Sequence, residues 1–266
     1  VLNGYGSGNY RESDTVHIWS RAIPANTVFN RWIGDVGTVN ARDEWHSTLV
    51  MPGANISVTA TFTAVSPWSL RDEQIQGADT LKRVLSYFPT PTKDVIYFFH
   101  GTNGSAINLA TNIEVRQLMN LVVADSFGVV ITESEESTKR RDLNGDGVLR
   151  WVLTPLDTTT NVDMRNIKVL TDTFIARGRI TRAMRRYSLG YSNGGFFSQT
   201  VSMLFRFTAA VSFCGQGIDT FYSISTIPFY WCMAKNDSNP NVGRQGNAQA
   251  YQGYLRLLGR GICAKY

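Results

Sequence analysis

Gly190-Tyr191-Ser192-Asn193-Gly194-Gly195 is the stretch from which the rest of the chain can be read. Before it, Met184-Arg185-Arg186-Tyr187-Ser188-Leu189 is a short β-compatible run. After it, Phe196 to Leu204 is helix-compatible, with apolar residues at Phe196, Phe197, Val201 and Leu204. A Gly-x-Ser-x-Gly pattern between a strand and a helix presents its serine on a sharp, strained turn, a nucleophile elbow. The glycines two positions either side answer a steric need, because only residues without a Cβ let strand and helix approach so closely. The bland alternative is a plain glycine-rich turn.

Outward from this turn, strands and helices alternate. Leu81 to Phe88 and Asp94 to Phe99 read as strands, and Val95-Ile96-Tyr97-Phe98-Phe99 is continuously apolar, as a centrally buried strand is. Thr111-Asn112-Ile113-Glu114 reads as a capping box opening a helix to about residue 126, with Val115, Leu118, Met119 and Val122 on one face and Gly128 ending it. Val129 to Thr132 is the next strand, and a helix fits Asp163 to Ala176. Beyond the turn come strands Thr208 to Phe213 and Pro228 to Ala234, a helix from Ala248 to Leu258, and a short Ile262-Cys263-Ala264. The pattern predicts an α/β domain over 81–266, a mostly parallel sheet with helices on both faces.

Residues 1–64 have a different texture. Thr15 to Trp19 and Ile56 to Phe62 alternate, and Asn3-Gly4, Gly6-Ser7-Gly8, Pro24-Ala25-Asn26 and Pro52-Gly53 mark turns. A small all-β module is expected, joined by a linker over 65–80. Gly6-Ser7-Gly8-Asn9-Tyr10, Val16-His17-Ile18, Phe29 to Asp35, Thr48 to Pro52 and Val58 to Phe62 follow in an order that resembles the divergent InlB B-repeat. That resemblance implies a secreted or cell-surface setting, with cell-surface association through the module, and transfers no chemistry.

The loop His100-Gly101-Thr102-Asn103-Gly104, the Gly-x-Ser-Asn-Gly-Gly turn and the placement of Asp237 resemble the esterase and polyester-depolymerase branch of the α/β-hydrolases, secreted bacterial members included. The resemblance implies hydrolysis of carboxylic esters, small or polymeric, through an acyl-enzyme on Ser192. It needs no cofactor for catalysis. A serine nucleophile requires a base and an acid that orients the base. In this fold the acid follows the serine in chain order, after the strand beyond the post-elbow strand, which favours Asp237; Asp219 lies one strand too early. The oxyanion hole takes two backbone N–H groups, expected from Asn193 and Thr102. His100, Gly101 and Tyr191 are the expected substrate-binding residues, although Tyr191 could equally be core.

The base is missing from the pattern. Of the three histidines, His17 and His46 lie in the β module and His100 lies in the oxyanion loop. The expected position follows the last strand, so the hydrolase domain reads as lacking its C-terminal end, with the histidine beyond Tyr266. The alternatives are a base borrowed from His46 and a catalytically dead relative. In the last case the chain would be a non-catalytic surface or binding protein on a degenerate hydrolase scaffold. A peptidase on the same fold is a third, weaker alternative.

Asp142-Leu143-Asn144-Gly145-Asp146-Gly147-Val148 matches the first half of a calcium loop, with Asp142, Asn144, Asp146 and Val148 as ligands and Leu153 where a bidentate Glu belongs. Asp157 or Asp163 could supply the missing carboxylate. The choice is between a structural calcium and an Asx-rich turn. Cys214, Cys232 and Cys263 match no zinc spacing and allow one disulfide or free thiols. The net charge of +5 is spread over Lys139-Arg140-Arg141 and the arginines from 177 to 186, a solvated face with no nucleic-acid motif. No apolar run approaches the ~18 residues that span a bilayer.

Overall fold

The computed structural model describes residues 1–21, 26–237, 239 and 243–266. The turn signal at 24–26 lies outside the described residues apart from Asn26. The chain forms two compact units, residues 1–68 with Ile113–Ala124, and residues 69–112 with Asp125–Tyr266.

In the first unit, β1 (Gly4–Tyr5), β2 (Thr15–Ser20) and β4 (His46–Val50) make one antiparallel sheet, and β3 (Thr27–Gly34) pairs with β5 (Val58–Ala64) in a second. Strict alternation on β2 sends Val16 and Ile18 inward, where they pack with Trp32, Leu49, Val58 and Ala60, and sends His17 and Trp19 outward. The helix Ile113–Ala124 belongs to this unit, far from it in sequence. Asn120 receives the Trp68 indole N–H at 3.0 Å and donates to the Thr27 carbonyl at 3.1 Å, while Arg116 lies over the Trp68 ring. The expected capping box does not form. Thr111 instead ends the preceding helix, its hydroxyl donating back to Ile107 and Asn108. Gly128 sits inside a strand rather than stopping the helix.

The second unit is built on an eight-stranded sheet. Its strands are β6 (Arg71–Gln76), β7 (Leu81–Tyr87), β8 (Asp94–Phe99), β9 (Phe127–Thr132), β10 (Arg186–Tyr191), β11 (Ala209–Phe213), β12 (Phe229–Cys232) and β13 (Ala264–Lys265). Their spatial order is β13-β12-β11-β10-β8-β9-β7-β6, parallel from β13 to β9 and antiparallel at β7 and β6. The stretch expected as linker therefore carries an edge strand, β6. Its polar run Arg71-Asp72-Glu73-Gln74 shows no buried face in the sequence.

Helices α1 (Ala106–Thr111), α3 (Glu135–Lys139), α4 (Val162–Ala176), α5 (Asn193–Phe205), α6 (Asp219–Ile224) and α7 (Gly243–Gly259) connect the strands, the helix at 113–124 being α2. Val95, Tyr97 and Phe99 of β8 pack with Met164, Ile167 and Leu170 of α4 and Phe197 and Val201 of α5 in the main core. Phe229 and Trp231 of β12 pack with Phe221 of α6 and Ala250 and Leu257 of α7 in another.

One feature of this order positions the site. From β8 the chain moves to β9 on one side, then returns to β10 on the other. Loops leaving β8 and β10 at their C-terminal ends therefore diverge and open a crevice. Ligands bind at such switch points in parallel sheets.

Candidate active site

Ser192 occupies that switch point, between the end of β10 and the first turn of α5. Its backbone is held at φ 52 and ψ −118, outside the regions open to ordinary residues. Such a conformation costs on the order of 1–3 kcal/mol and persists because the surroundings over-determine it. Here the Ser192 amide donates to the Phe213 carbonyl at 2.8 Å and its carbonyl accepts from Gly195 at 2.8 Å. The glycines are explained one by one. A Cβ at Gly190 would overlap the Gly194 carbonyl, one at Gly194 the carbonyls of Phe99 and His100, and one at Gly195 the Ser212 hydroxyl.

The loop after β8 lies against this turn. A Cβ at Gly101 would stand 3.4 Å from the Ser192 Cβ, so Gly101 borders the serine. Among the described residues, the N–H groups of Thr102 and Asn193 are donated to no protein acceptor. The Asn193 N–H also sits at the positive end of the α5 dipole.

Trp151, 1% exposed, braces both halves of this arrangement. Its amide donates to Asn193 Oδ1 at 2.8 Å and its indole N–H to the His100 carbonyl at 2.9 Å. Its ring stacks on Phe197 at 4.2 Å. Asn103 exchanges a second pair of bonds with Leu149, N–H to carbonyl at 2.6 Å and Oδ1 from the Leu149 amide at 2.8 Å.

The fold of the larger unit has known counterparts. Solved structures that align with the chain include a ferulic acid esterase (TM-score 0.55, 10% identity, 74% of this chain and 88% of that one). A dienelactone hydrolase from Anabaena variabilis aligns with TM-score 0.53 and 13% identity over 74% of this chain and 85% of its own. A serine hydrolase without a lid from Xanthomonas campestris gives 0.52 and 12% over 77% and 85%. The larger unit has the α/β-hydrolase fold. Residues 2–66 match the model of the divergent InlB B-repeat domain. No curated protein matches the sequence.

Within the hydrolase unit, His100 departs from its expected role. It is 2% exposed, and both ring nitrogens are engaged. Nε2 accepts from the Ser134 amide at 3.1 Å, so the ring proton resides on Nδ1, which donates to the Gly101 carbonyl at 2.7 Å. Burial pulls its pKa down to about 4, against the Gly101 hydrogen bond and with the Lys82 charge adding to it. A neutral, doubly bonded imidazole cannot touch substrate or deprotonate Ser192. It fastens the oxyanion loop to the N-terminus of α3.

Asp237 lies in the loop after β12, at the same end of the sheet as Ser192, and accepts from the Asn239 amide at 2.8 Å. Asp219, the competing acid, opens α6 and pairs with Arg256 at 3.0 Å with its side chain 88% exposed. Tyr191 stacks on Phe213 of the neighbouring strand at 4.9 Å, half-buried beside the serine.

The Asp142 loop closes on itself. Asp142 accepts from the amides of Asn144, Gly145 and Gly147, Asn144 from Asp146, and Asp146 from Val148. Arg150 pairs with Asp146. Asp157 accepts from Thr159 and Thr160, and Asp163 from Glu135 and Val152. Neither reserve carboxylate reaches the loop, and a guanidinium already neutralises one of its two acids. Calcium takes six to eight oxygens, and this donor set does not fit it.

Three residues of the basic runs are in ion pairs. Arg177 bonds Glu73 at 2.9 Å, Arg185 bonds Asp94 at 2.8 Å and Lys139 bonds Glu135 at 2.9 Å. The three thiols are free. Trp32 and Trp231 are buried, whereas Trp19 and Trp45 are 38% and 50% exposed.

The bracing roles of Trp151, Asn103, Ser134 and Asp163 were not legible in the sequence. They rest on bonds between segments distant in the chain, which leave no periodic signal.

Proposed function

We propose that this chain carries the nucleophile and oxyanion hole of a serine esterase. The observation that carries the reading is Ser192 at φ 52 on the switch-point turn, with Gly101 close against it and the N–H groups of the neighbouring Thr102 and Asn193 bonded to no acceptor among the described residues. In this reading the Ser192 hydroxyl attacks the ester carbonyl, and the Thr102 and Asn193 amides take the oxyanion. The alcohol departs, and water then releases the acyl group. Each oxyanion donor is worth about 3 kcal/mol of barrier. Asp237 is the acid of the triad.

The base is not supplied by His100, whose two ring nitrogens are both taken. The reading requires a base, which a soluble imidazole can stand in for. The substrate is a carboxylic ester, small or polymeric, and the stacked Tyr191–Phe213 pair flanking the serine suits an aryl or other flat group. The β module suits an extracytoplasmic setting with attachment to a surface, and no described helix is long and apolar enough to cross a membrane.

Hydrolysis of a p-nitrophenyl ester with and without added imidazole tests this. Imidazole, acting as the external base, should raise the rate of the wild type and not of Ser192→Ala. Equal rates for the two proteins under both conditions would leave the non-catalytic scaffold as the better reading.

A further inference from the structure

At the end of the sheet away from Ser192, a recess of about 300 Å³ opens between α4 and the C-terminal end of α5. That is the low end of the range for small-molecule sites. Arg186, at its edge, begins β10, and Ser192 comes six positions later, just past the strand's last residue. The two therefore stand about 20 Å apart along the strand. A ligand held in the recess meets neither the serine nor its turn.

Four charged side chains line the recess. Lys168 and Asp172, one turn apart on α4, pair at 2.8 Å and cancel. Arg186 and Arg206 form no ion pair and donate no side-chain hydrogen bond among the described residues. They leave an excess of two positive charges. The C-terminal end of the α5 dipole offsets about half a charge of this.

Both guanidiniums are set in place. Arg186 lies over the Phe207 ring at 5.7 Å, and that ring is 2% exposed. Stacking engages the flat face of a guanidinium and leaves its N–H edge free to donate. Arg206 caps α5 at φ 53, its amide bonded to the Ser202 carbonyl, so its side chain departs from a fixed backbone. Leu204 and Phe205 add an apolar wall beside the two cations.

We propose that this recess binds the phosphate monoester of a small organic group. Guanidinium forks match phosphate oxygens two at a time. A phosphate monoester carries a charge of about −1.5 to −2 at pH 7, which balances the excess, whereas a carboxylate or a sulfate ester brings a single charge. The apolar wall takes the organic body, which inorganic phosphate lacks.

Calorimetric titration of the full chain with phenyl phosphate, at pH 7.5 in a phosphate-free buffer of low ionic strength, tests the site. Saturable one-to-one binding in the submillimolar range is expected, with phenyl sulfate and inorganic phosphate each weaker by several-fold. Arg186→Gln and Arg206→Gln should each weaken phenyl phosphate at least about tenfold. Arg182→Gln, exposed and outside the recess, should leave it unchanged. The proposal is overturned by an absence of saturable binding at millimolar phenyl phosphate, by equal affinity for phenyl sulfate, or by a loss in Arg182→Gln as large as in the two recess variants. Inorganic phosphate binding as tightly as phenyl phosphate would overturn its organic half.

Discussion

The Trp151 amide donates to Asn193 Oδ1 across forty-two residues of chain at 2.8 Å, and through it the loop before α4 grips the residue that follows the nucleophile. The same tryptophan holds the His100 carbonyl with its indole N–H. Two segments that the esterase reading asks to present N–H groups to one oxygen are thus both fixed to one buried residue. Trp151 is a positioning residue.

Trp151→Phe keeps an aromatic ring beside Phe197 but removes the indole donor and part of the buried ring volume, leaving the His100 carbonyl without that partner. The expected loss of stability is about 1–3 kcal/mol, read by urea unfolding. The imidazole-assisted ester rate should fall while KM stays near its wild-type value. A drop in stability with an unchanged rate would show that Trp151 only packs.

The elbow glycines make opposite predictions from a glycine elsewhere. Gly190→Ala and Gly194→Ala each push a methyl into backbone carbonyls and should cost more than about 3 kcal/mol, beyond ordinary overpacking because main chain cannot swing aside. Gly259, at the end of α7, meets nothing within 4 Å. Gly259→Ala should be neutral or stabilising by up to about 1 kcal/mol. Melting temperatures of the three variants check this.

His100 makes stability fall on acidification. Its folded pKa of about 4 lies below the ordinary imidazole value of 6.5, so the unfolded chain takes up the proton first. The contribution is complete above about pH 6.5 and is lost as pH falls through about 4. It amounts to roughly 3 kcal/mol at 1.36 kcal/mol per pKa unit. Because His46 is shifted the same way, the measurement is the difference between wild type and His100→Gln across that window. An identical pH dependence in the two would contradict the assignment.

Lys82 and Glu135 form a fully buried pair at 3.2 Å. Glu135 also receives hydrogen bonds from Asn166 at 2.9 Å and Thr80 at 3.1 Å. Lys82→Met leaves that carboxylate buried with less compensation and should destabilise by about 3–5 kcal/mol. Adding Glu135→Gln should recover part of the loss, since the uncompensated charge is then gone. Chemical denaturation of the single and double variants gives the cycle.

The Asp142 loop is expected to be indifferent to calcium. Its carboxylates are occupied by its own amides and by Arg150, and too few oxygens remain. Melting curves with millimolar calcium and with chelator should superimpose; a reproducible upward shift with calcium would restore the metal.

Much of the fold was legible along the chain because its signals are local. The apolar run at 95–99, the three-to-four spacing at 164–174 and the glycines around Ser192 announced β8, α4 and the elbow. β6 was not legible, because an edge strand with a polar sequence buries little and carries no pattern. Neither was the sorting of the helix at 113–124 into the β unit. That depends on Asn120 meeting Trp68 and Thr27, fifty-two and ninety-three residues away.

The sequence by itself determined the parts of this protein set by backbone stereochemistry and periodicity: a β module, an α/β domain, and a serine on a turn that only glycines permit. Tertiary structure alone decided what those parts do for one another. It placed the serine at the reversal of strand order, turned His100 from a substrate contact into a buried clamp, and enlisted Trp151. It also brought His17 against His46 from neighbouring strands. The physical reason is range. A steric demand between residues two apart is written in those residues, whereas a hydrogen bond between segments forty residues apart depends on the path of everything between them.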